Sequence, residues 1–336
     1  MESPKPILVT GATGSIGYAL VKRISEAGQS IRVVVRNPDR AANLRSMPNV
    51  DIVLGDLSQP DSLRDCAEGC SLVYHCAAKL SSPDWAGSYA TNVIGTQAVI
   101  NEAERAGVER LVYTSTIGVY GLSKAENITE ETPWTKYNQP YFITKQDAER
   151  IVWKAVDQLP ITIARLGDVI GPGQYTWTID PIHKMNRGLF QPPLDSESGF
   201  LNPVYIDNLV DALLLMGVHP AAPGQIFNVV DGTPIRTGDY FRRLAQMAGK
   251  QLTPLPAILL KGASTILMGY DLLRGRETSF YGSIDYLLRK GKIYPNKIRS
   301  LLEWTPAVPQ EEAFRRTEQW LHQEGYLRGR QAEDSG

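Results

Sequence analysis

The chain is expected to fold as an α/β protein, with a Rossmann-like doubly wound parallel sheet and a smaller C-terminal substrate lobe. Three observations predict this. Short apolar runs alternate with stretches of helical spacing through the first half, the pattern of strands covered on both faces. The first run, Ile7–Val9, enters a glycine-rich turn that opens the first helical stretch. After Gly171-Pro172-Gly173 the rhythm breaks, and Trp, Pro and Gly become frequent.

The elements follow in order. Ile16 to Ala27 has helical spacing of apolar residues (Ile16, Ala19, Leu20, Ile24, Ala27), and Gly28 stands where a helix would stop. Ile31–Val35 and Asp51–Leu54 carry the β-branched residues of strands. Leu72–Cys76 and Arg110–Ser115 read as two further buried strands, with one long helix from about Asp84 to Ala106 between them. A helix over Tyr141–Asp157 precedes a strand at Ile161–Leu166. Val204 to Met216 reads as a strand entering a helix, Ile226–Val230 as a strand returning to the sheet, and the chain from Thr237 as mostly helical. The expected division is a nucleotide-binding domain over 1–172, rejoined by segments near 202–232. The lobe takes 173–201 and 233–328, and a polar tail at 329–336 is expected to fray.

With 336 residues the chain can build one large domain and a lobe. A net charge of -1 without a long basic stretch disfavours nucleic acid or an anionic membrane as the main partner. Cys66, Cys70 and Cys76 are the only cysteines. No second Cys or His pair completes a metal site around the first two, so no metal is expected. So few cysteines fit a reducing, cytoplasmic compartment. Met1 to Pro6 leads straight into Ile7, so no secretory leader is expected. The apolar stretch Leu252–Leu273 is interrupted by Pro254, Pro256, Lys261, Gly262 and Asp271, which argues against an integral membrane segment.

The turn Thr10-Gly11-Ala12-Thr13-Gly14-Ser15-Ile16-Gly17 is a candidate phosphate cradle. Glycine lets the backbone turn tightly and approach a pyrophosphate, while the helix start offers free N–H groups and a positive dipole end. Gly11, Thr13, Gly14, Ser15, Ile16 and Gly17 are therefore candidate dinucleotide contacts; the alternative is a plain capping turn. Where NAD-specific folds place an acidic residue at the end of the second strand, this chain has Val34-Val35-Arg36-Asn37. A guanidinium cannot accept from a ribose 2′-hydroxyl but can pair with a 2′-phosphate. Arg36, with Arg40 nearby, thus favours NADP(H). Asp39 blurs the signal, and NAD(H) stays open. Asp56-Leu57 could contact the adenine, or Asp56 could cap the turn it begins.

Tyr141 and Lys145 stand at i and i+4, on one face of the helix that opens after Pro140. A nearby cation lowers a phenol below its usual value of about 10, making it a usable acid or base. Thr114-Ser115-Thr116 ends the preceding strand, where a hydroxyl could orient a substrate oxygen.

Taken in order, these blocks resemble the extended short-chain dehydrogenases/reductases, the NAD-dependent epimerase/dehydratase superfamily. The resemblance covers nearly the whole chain. It runs through Thr10 to Gly17, His75-Cys76-Ala77-Ala78, Asn92-Val93-Ile94-Gly95-Thr96, Thr114 to Gly121 and Tyr-x-x-x-Lys at Tyr141 and Lys145. It continues through Arg165 to Gly173, Val204 to Leu209 and Trp304-Thr305-Pro306. The resemblance implies that Tyr141 exchanges a proton with substrate while Lys145 tunes it and binds ribose. It further implies that Thr116 bonds the reacting oxygen, and that Ala77, Ala78, Asn92 and Thr114 lie at the cofactor.

Within the superfamily the sequence leans toward the ketone-reducing and alcohol-oxidising branch, close to dihydroflavonol reductases and 3β-hydroxysteroid dehydrogenases. Sugar-nucleotide members usually carry Asn where Asp168 stands and Arg near Leu201, to hold a diphosphate. Tyr175, Trp177, Phe190, Phe200, Leu201 and Tyr205 are candidates for an apolar substrate wall, or are ordinary core. His183 and Lys184 could add polar contacts. The alternatives are a nucleotide-sugar epimerase or dehydratase with retained NAD, and a non-catalytic NADP-binding sensor or scaffold. A homodimer through the helices before the fifth and sixth strands is expected from the resemblance.

Overall fold

The computed structural model describes residues 5–80, 84–135, 137, 139–190, 192, 199–256, 258–260, 262 and 284–327. Seven parallel strands form the main sheet: β1 (Ile7–Thr10), β2 (Ile31–Val35), β3 (Val50–Leu54), β4 (Leu72–His75), β5 (Arg110–Thr116), β6 (Ile161–Leu166) and β7 (Ile226–Val229). Their spatial order is β7-β6-β5-β4-β1-β2-β3. The chain winds outward from β1 to β3, then returns to the other side of β1 and winds outward again. The reversal leaves a crevice beyond the carboxyl ends of β1 and β4, where ligands of such sheets bind.

Successive strand residues point to opposite faces. Leu8, Val34, Val73, Leu111 and Tyr113 enter one core, against Val99, Ile100, Ala148 and Val152. Val9, Val33, Tyr74, Val112 and Ala164 enter the other, against Leu20, Ile24, Leu209 and Leu213. Both faces are dry, which is why the strands read as unbroken apolar runs. The first face is covered by α2 (Gly95–Arg105) and α3 (Pro140–Lys154), the second by α1 (Ser15–Glu26) and α4 (Ile206–Val218).

The long helix expected from Asp84 to Ala106 is not uniform. Asp84 caps a first segment, Trp85–Tyr89, by accepting from the Gly87 N–H at 2.9 Å. A π-helical turn, Ala90–Ile94, follows before α2 begins. α3 opens with Pro140 at its first position, where a missing N–H costs nothing.

The C-terminal half adds small two-stranded pairs. Asp168–Ile170 lies beside Pro203–Tyr205, and Phe200–Leu201 beside Ile235–Arg236. Two further helices, α5 (Thr237–Met247) and α6 (Gln310–Gln323), pack behind them. Most of Leu252–Leu273 and the tail expected to fray, from residue 328 on, lie outside the described residues. Among the described residues no helix is long and apolar enough to cross a membrane.

Candidate active site

The turn after β1 fits a pyrophosphate. Gly11 has φ +75°, and a Cβ there would lie 2.7 Å from the Ala77 nitrogen, so the turns after β1 and β4 press together. A Cβ on Gly17 would lie 2.3 Å from the Gly11 carbonyl oxygen, so only glycine lets α1 start this close to its own turn. Gly14 caps α1 without a side chain. The first N–H groups of the helix have no carbonyl behind them and point at whatever lies above the turn. Thr13 is exposed, and Ser15 and Ile16 are half-buried there. The sequence reading missed one contact: Ser15 Oγ donates to Oε1 of the buried Gln174 at 3.0 Å, tying the chain beyond Gly173 to this turn.

Arg36 is exposed just past β2, and Asn37 Oδ1 caps the short turn behind it by accepting from the Asp39 N–H at 2.9 Å. Asp56 takes the capping role: its Oδ1 accepts from the Ser58 N–H at 2.9 Å and the Ser58 hydroxyl at 2.8 Å. Leu57 is buried where the chain passes α2, against Gly95.

Behind the cradle lies a buried polar frame. Asn92 sits in the π turn with its whole amide in use. Its Oδ1 accepts from the Lys79 N–H at 2.7 Å, and its Nδ2 donates to the Lys79 carbonyl at 3.0 Å and to Thr144 Oγ1 at 2.9 Å. It therefore clamps the loop after β4, which holds Ala77 and Ala78, to the start of α3. Asn92 is itself buried, not on the helix surface. His75 is fully buried, 2.6 Å from Thr10 Oγ1 through Nδ1 and 2.9 Å from Thr96 Oγ1 through Nε2. Burial, reinforced by Lys145, pulls His75 down to about 3, so the ring is neutral.

Tyr141, Thr116 and Lys145 come together at the carboxyl end of β5. Thr116 Oγ1 accepts from the Gly118 N–H at 3.0 Å and shares a hydrogen bond with the Tyr141 hydroxyl. Lys145 Nζ donates to Tyr113 Oη and to the Thr114 carbonyl, each at 2.7 Å. Thr114 Oγ1 donates to the His75 carbonyl at 3.0 Å, which joins β5 to β4. The expected lowering of Tyr141 by Lys145 is not what the geometry delivers. Burial pushes Tyr141 up to about 12 against the opposing Thr116 hydrogen bond, while the Lys145 ammonium is directed at Tyr113 and Thr114. Lys145 itself is pulled down to about 7 by burial, opposed by Glu149 and then Cys76.

Glu149 lies four residues beyond Lys145, one turn further along α3. It forms a buried ion pair with Arg165 at 2.6 Å and accepts from the Ser115 hydroxyl. Arg165 also donates to Tyr120 Oη at 2.7 Å. A second buried pair joins Asp168 to Arg289, and Asp168 Oδ2 accepts from the Asn202 N–H at 2.7 Å. The Asp168 charge is thus neutralised inside the protein.

The proposed substrate wall divides. Leu201 and Tyr205 are core residues, with the Tyr205 N–H donating to Asp231 Oδ2 at 2.9 Å. Phe190 packs on Phe241 at 4.7 Å between ring centroids, and Phe200 lies under Arg236 and Lys292. Tyr175 is 58% exposed. The His183 ring packs at a tilt on Tyr326, 5.3 Å between centroids, and Lys184 pairs with Asp180 at 2.8 Å. Trp177 reaches the aromatic group beside Tyr141. Its ring is 6.3 Å from Tyr286, which stacks on Phe142 at 5.2 Å, itself 5.4 Å from Tyr141.

Comparison with known proteins agrees with this geometry. The family model described as "NAD dependent epimerase/dehydratase family" matches residues 7–229. The chain is 28% identical over 290 residues to a 3 beta-hydroxysteroid dehydrogenase/Delta 5-->4-isomerase of Mycobacterium tuberculosis, covering 80% of this chain and 76% of that protein. It is 36% identical over 179 residues to a putative dihydroflavonol 4-reductase of Synechocystis, about half of each chain (52% and 50%). An epimerase from Methanothermobacter thermautotrophicus has the same fold at TM-score 0.78 and 24% identity, covering 96% of this chain and 94% of its own. The match spans the sheet from β1 to β7 together with the turn, the Tyr-Lys pair and their supporting frame, and the chain therefore belongs to the NAD-dependent epimerase/dehydratase family of extended short-chain dehydrogenases/reductases.

Proposed function

We propose that the chain is an NAD(P)-dependent ketone reductase or alcohol dehydrogenase acting on an apolar or moderately polar carbonyl or alcohol. The observation that carries this is the Tyr141 hydroxyl joined to Thr116, one helical turn from the buried Lys145. The wall beside Tyr141 is aromatic, and the ion pair nearby is closed on itself. Similarity to a 3 beta-hydroxysteroid dehydrogenase/Delta 5-->4-isomerase and to a putative dihydroflavonol 4-reductase supports the same reading.

The turn from Gly11 to Gly17 would hold the pyrophosphate, and the exposed Arg36 would pair with a 2′-phosphate, which favours NADP(H). When bound, the nicotinamide exchanges the hydride. The protein's part is the proton. Burial keeps Tyr141 protonated through neutral pH, so it can donate to a carbonyl oxygen that Thr116 helps to orient. In the oxidative direction Tyr141 must first lose its proton, so oxidation should rise with pH through the alkaline range while reduction should not. Tyr141→Phe should lower turnover by about 10²–10⁴-fold with NADPH affinity unchanged. Undiminished turnover would remove Tyr141 from the chemistry.

A second reading has its own observation. The Ser15–Gln174 hydrogen bond ties the chain beyond Gly173 to the phosphate turn, a link that would favour retention of a dinucleotide through an epimerisation or dehydration. Denaturing protein purified without added cofactor separates the two. A released NAD⁺ that does not exchange in native protein would favour the second reading. An exchangeable site that takes NADPH ahead of NADH supports the first.

A further inference from the structure

Lys145 is held by more than its own helix. Its Nζ donates to Tyr113 Oη at 2.7 Å and to the Thr114 carbonyl at 2.7 Å, and it lies 4.2 Å from the Tyr113 ring centroid. An ammonium has three N–H donors, so these two bonds leave one direction open. Tyr113 is completely buried and its hydroxyl is bonded to Thr96. Thr96 Oγ1 donates to the Asn92 carbonyl at 2.6 Å. It must then accept from His75, which makes Nε2 the protonated ring nitrogen and Nδ1 the acceptor for the Thr10 hydroxyl. Every bond thus runs one way, from Lys145 through Tyr113 to Thr96, and the Tyr113 oxygen faces Lys145 as an acceptor. The far end of the frame rests on β1, β4 and the π turn, so the Tyr113 oxygen is not free to move.

We propose that Tyr113 is a positioning residue for Lys145: its oxygen holds one N–H of the ammonium, so that a single N–H is left to serve the site around Tyr141. The groups facing Lys145 make this contact count. From its own helix comes Glu149, from β4 and its following turn His75 and Cys76, and from β5 Tyr113. Burial keeps His75 and Cys76 neutral, and Glu149 is already paired with Arg165. Beside the field of Glu149, the two oxygens at 2.7 Å are the groups that accept directly from the ammonium.

The role rests on Lys145 being the working ammonium of the proposed dehydrogenase site, and the test keeps the two apart. The full chain, labelled with ¹³C at lysine Cε, is titrated by NMR without cofactor, and the Lys145 signal is assigned by its loss in Lys145→Met. The wild-type signal is expected to titrate near 7, well below the ~10.4 of exposed lysines. Tyr113→Phe keeps the ring and removes the acceptor, and should move that midpoint down by about one pH unit. Incorporation of 3-fluorotyrosine at position 113, which keeps the hydroxyl but weakens its oxygen as an acceptor, should move it the same way by less and covers a poorly folding Phe variant. An unmoved or raised midpoint in the folded variants overturns the role of Tyr113. Undiminished turnover in Tyr141→Phe overturns the site reading and this role with it. Lost turnover there with an unmoved Lys145 midpoint overturns the role of Tyr113 alone.

Discussion

At the scale of single residues, the site depends on which polar and charged side chains are paired inside the protein. Tyr141, Lys145 and Thr116 stand out because a fixed spacing and a strand end bring them together. Arg289 does not, because the residue it neutralises, Asp168, lies more than a hundred positions away. That pair is buried at both ends, and Tyr286 lies under the guanidinium at 3.8 Å. Removing one partner of a buried pair leaves an uncompensated charge, which typically costs about 3–5 kcal/mol. Arg289→Met should therefore destabilise the fold by roughly that amount in urea unfolding. Adding Asp168→Asn should recover most of the loss. A single variant as stable as wild type would mean that Asp168 is solvated or protonated in the native protein. Asp168 is raised by burial and lowered by Arg289, so losing the arginine should also push its carboxyl further up.

At the scale of elements, the strands and the glycine turn were readable because their signals are local. β-branched runs, a helix stop at Gly28 and Pro140 at a helix start need no knowledge of the rest of the chain. The uniform helix expected over Asp84–Ala106 was the miss. Helical periodicity persists through a π turn, since one widened turn shifts the pattern by only a single residue. What changes is the direction of Asn92, which is delivered to Lys79 and Thr144. Nothing in the spacing of apolar residues reports that. The same limit applies to Leu201 and Tyr205, because an apolar residue on a short strand looks alike whether it lines a pocket or fills a core.

At the scale of the whole molecule, a homodimer remains the expectation, and the outward side of the helical layer formed by α2 and α3 is the surface to test. Trp85, Tyr89 and Ile94 before α2 and Trp153 on α3 are 37–46% exposed. Large apolar groups gathered on one layer are the usual mark of an interface. Sedimentation at micromolar concentration should give twice the chain mass of 37.2 kDa. Trp153→Asp should shift it toward monomer without loss of secondary structure. A wild-type monomer would show that this layer faces solvent.

Local sequence was sufficient for the alternating strands and helices, the glycine turn and the Tyr-Lys spacing, because each depends on residues a few positions apart. Tertiary structure alone decided the electrostatic state of the site. Burial outweighs the Thr116 hydrogen bond at Tyr141, pulls Lys145 down toward neutrality and keeps His75 uncharged. Desolvation depends on everything packed around a group, drawn here from β1, β4, β5 and the helices over them. No spacing along the chain encodes that environment.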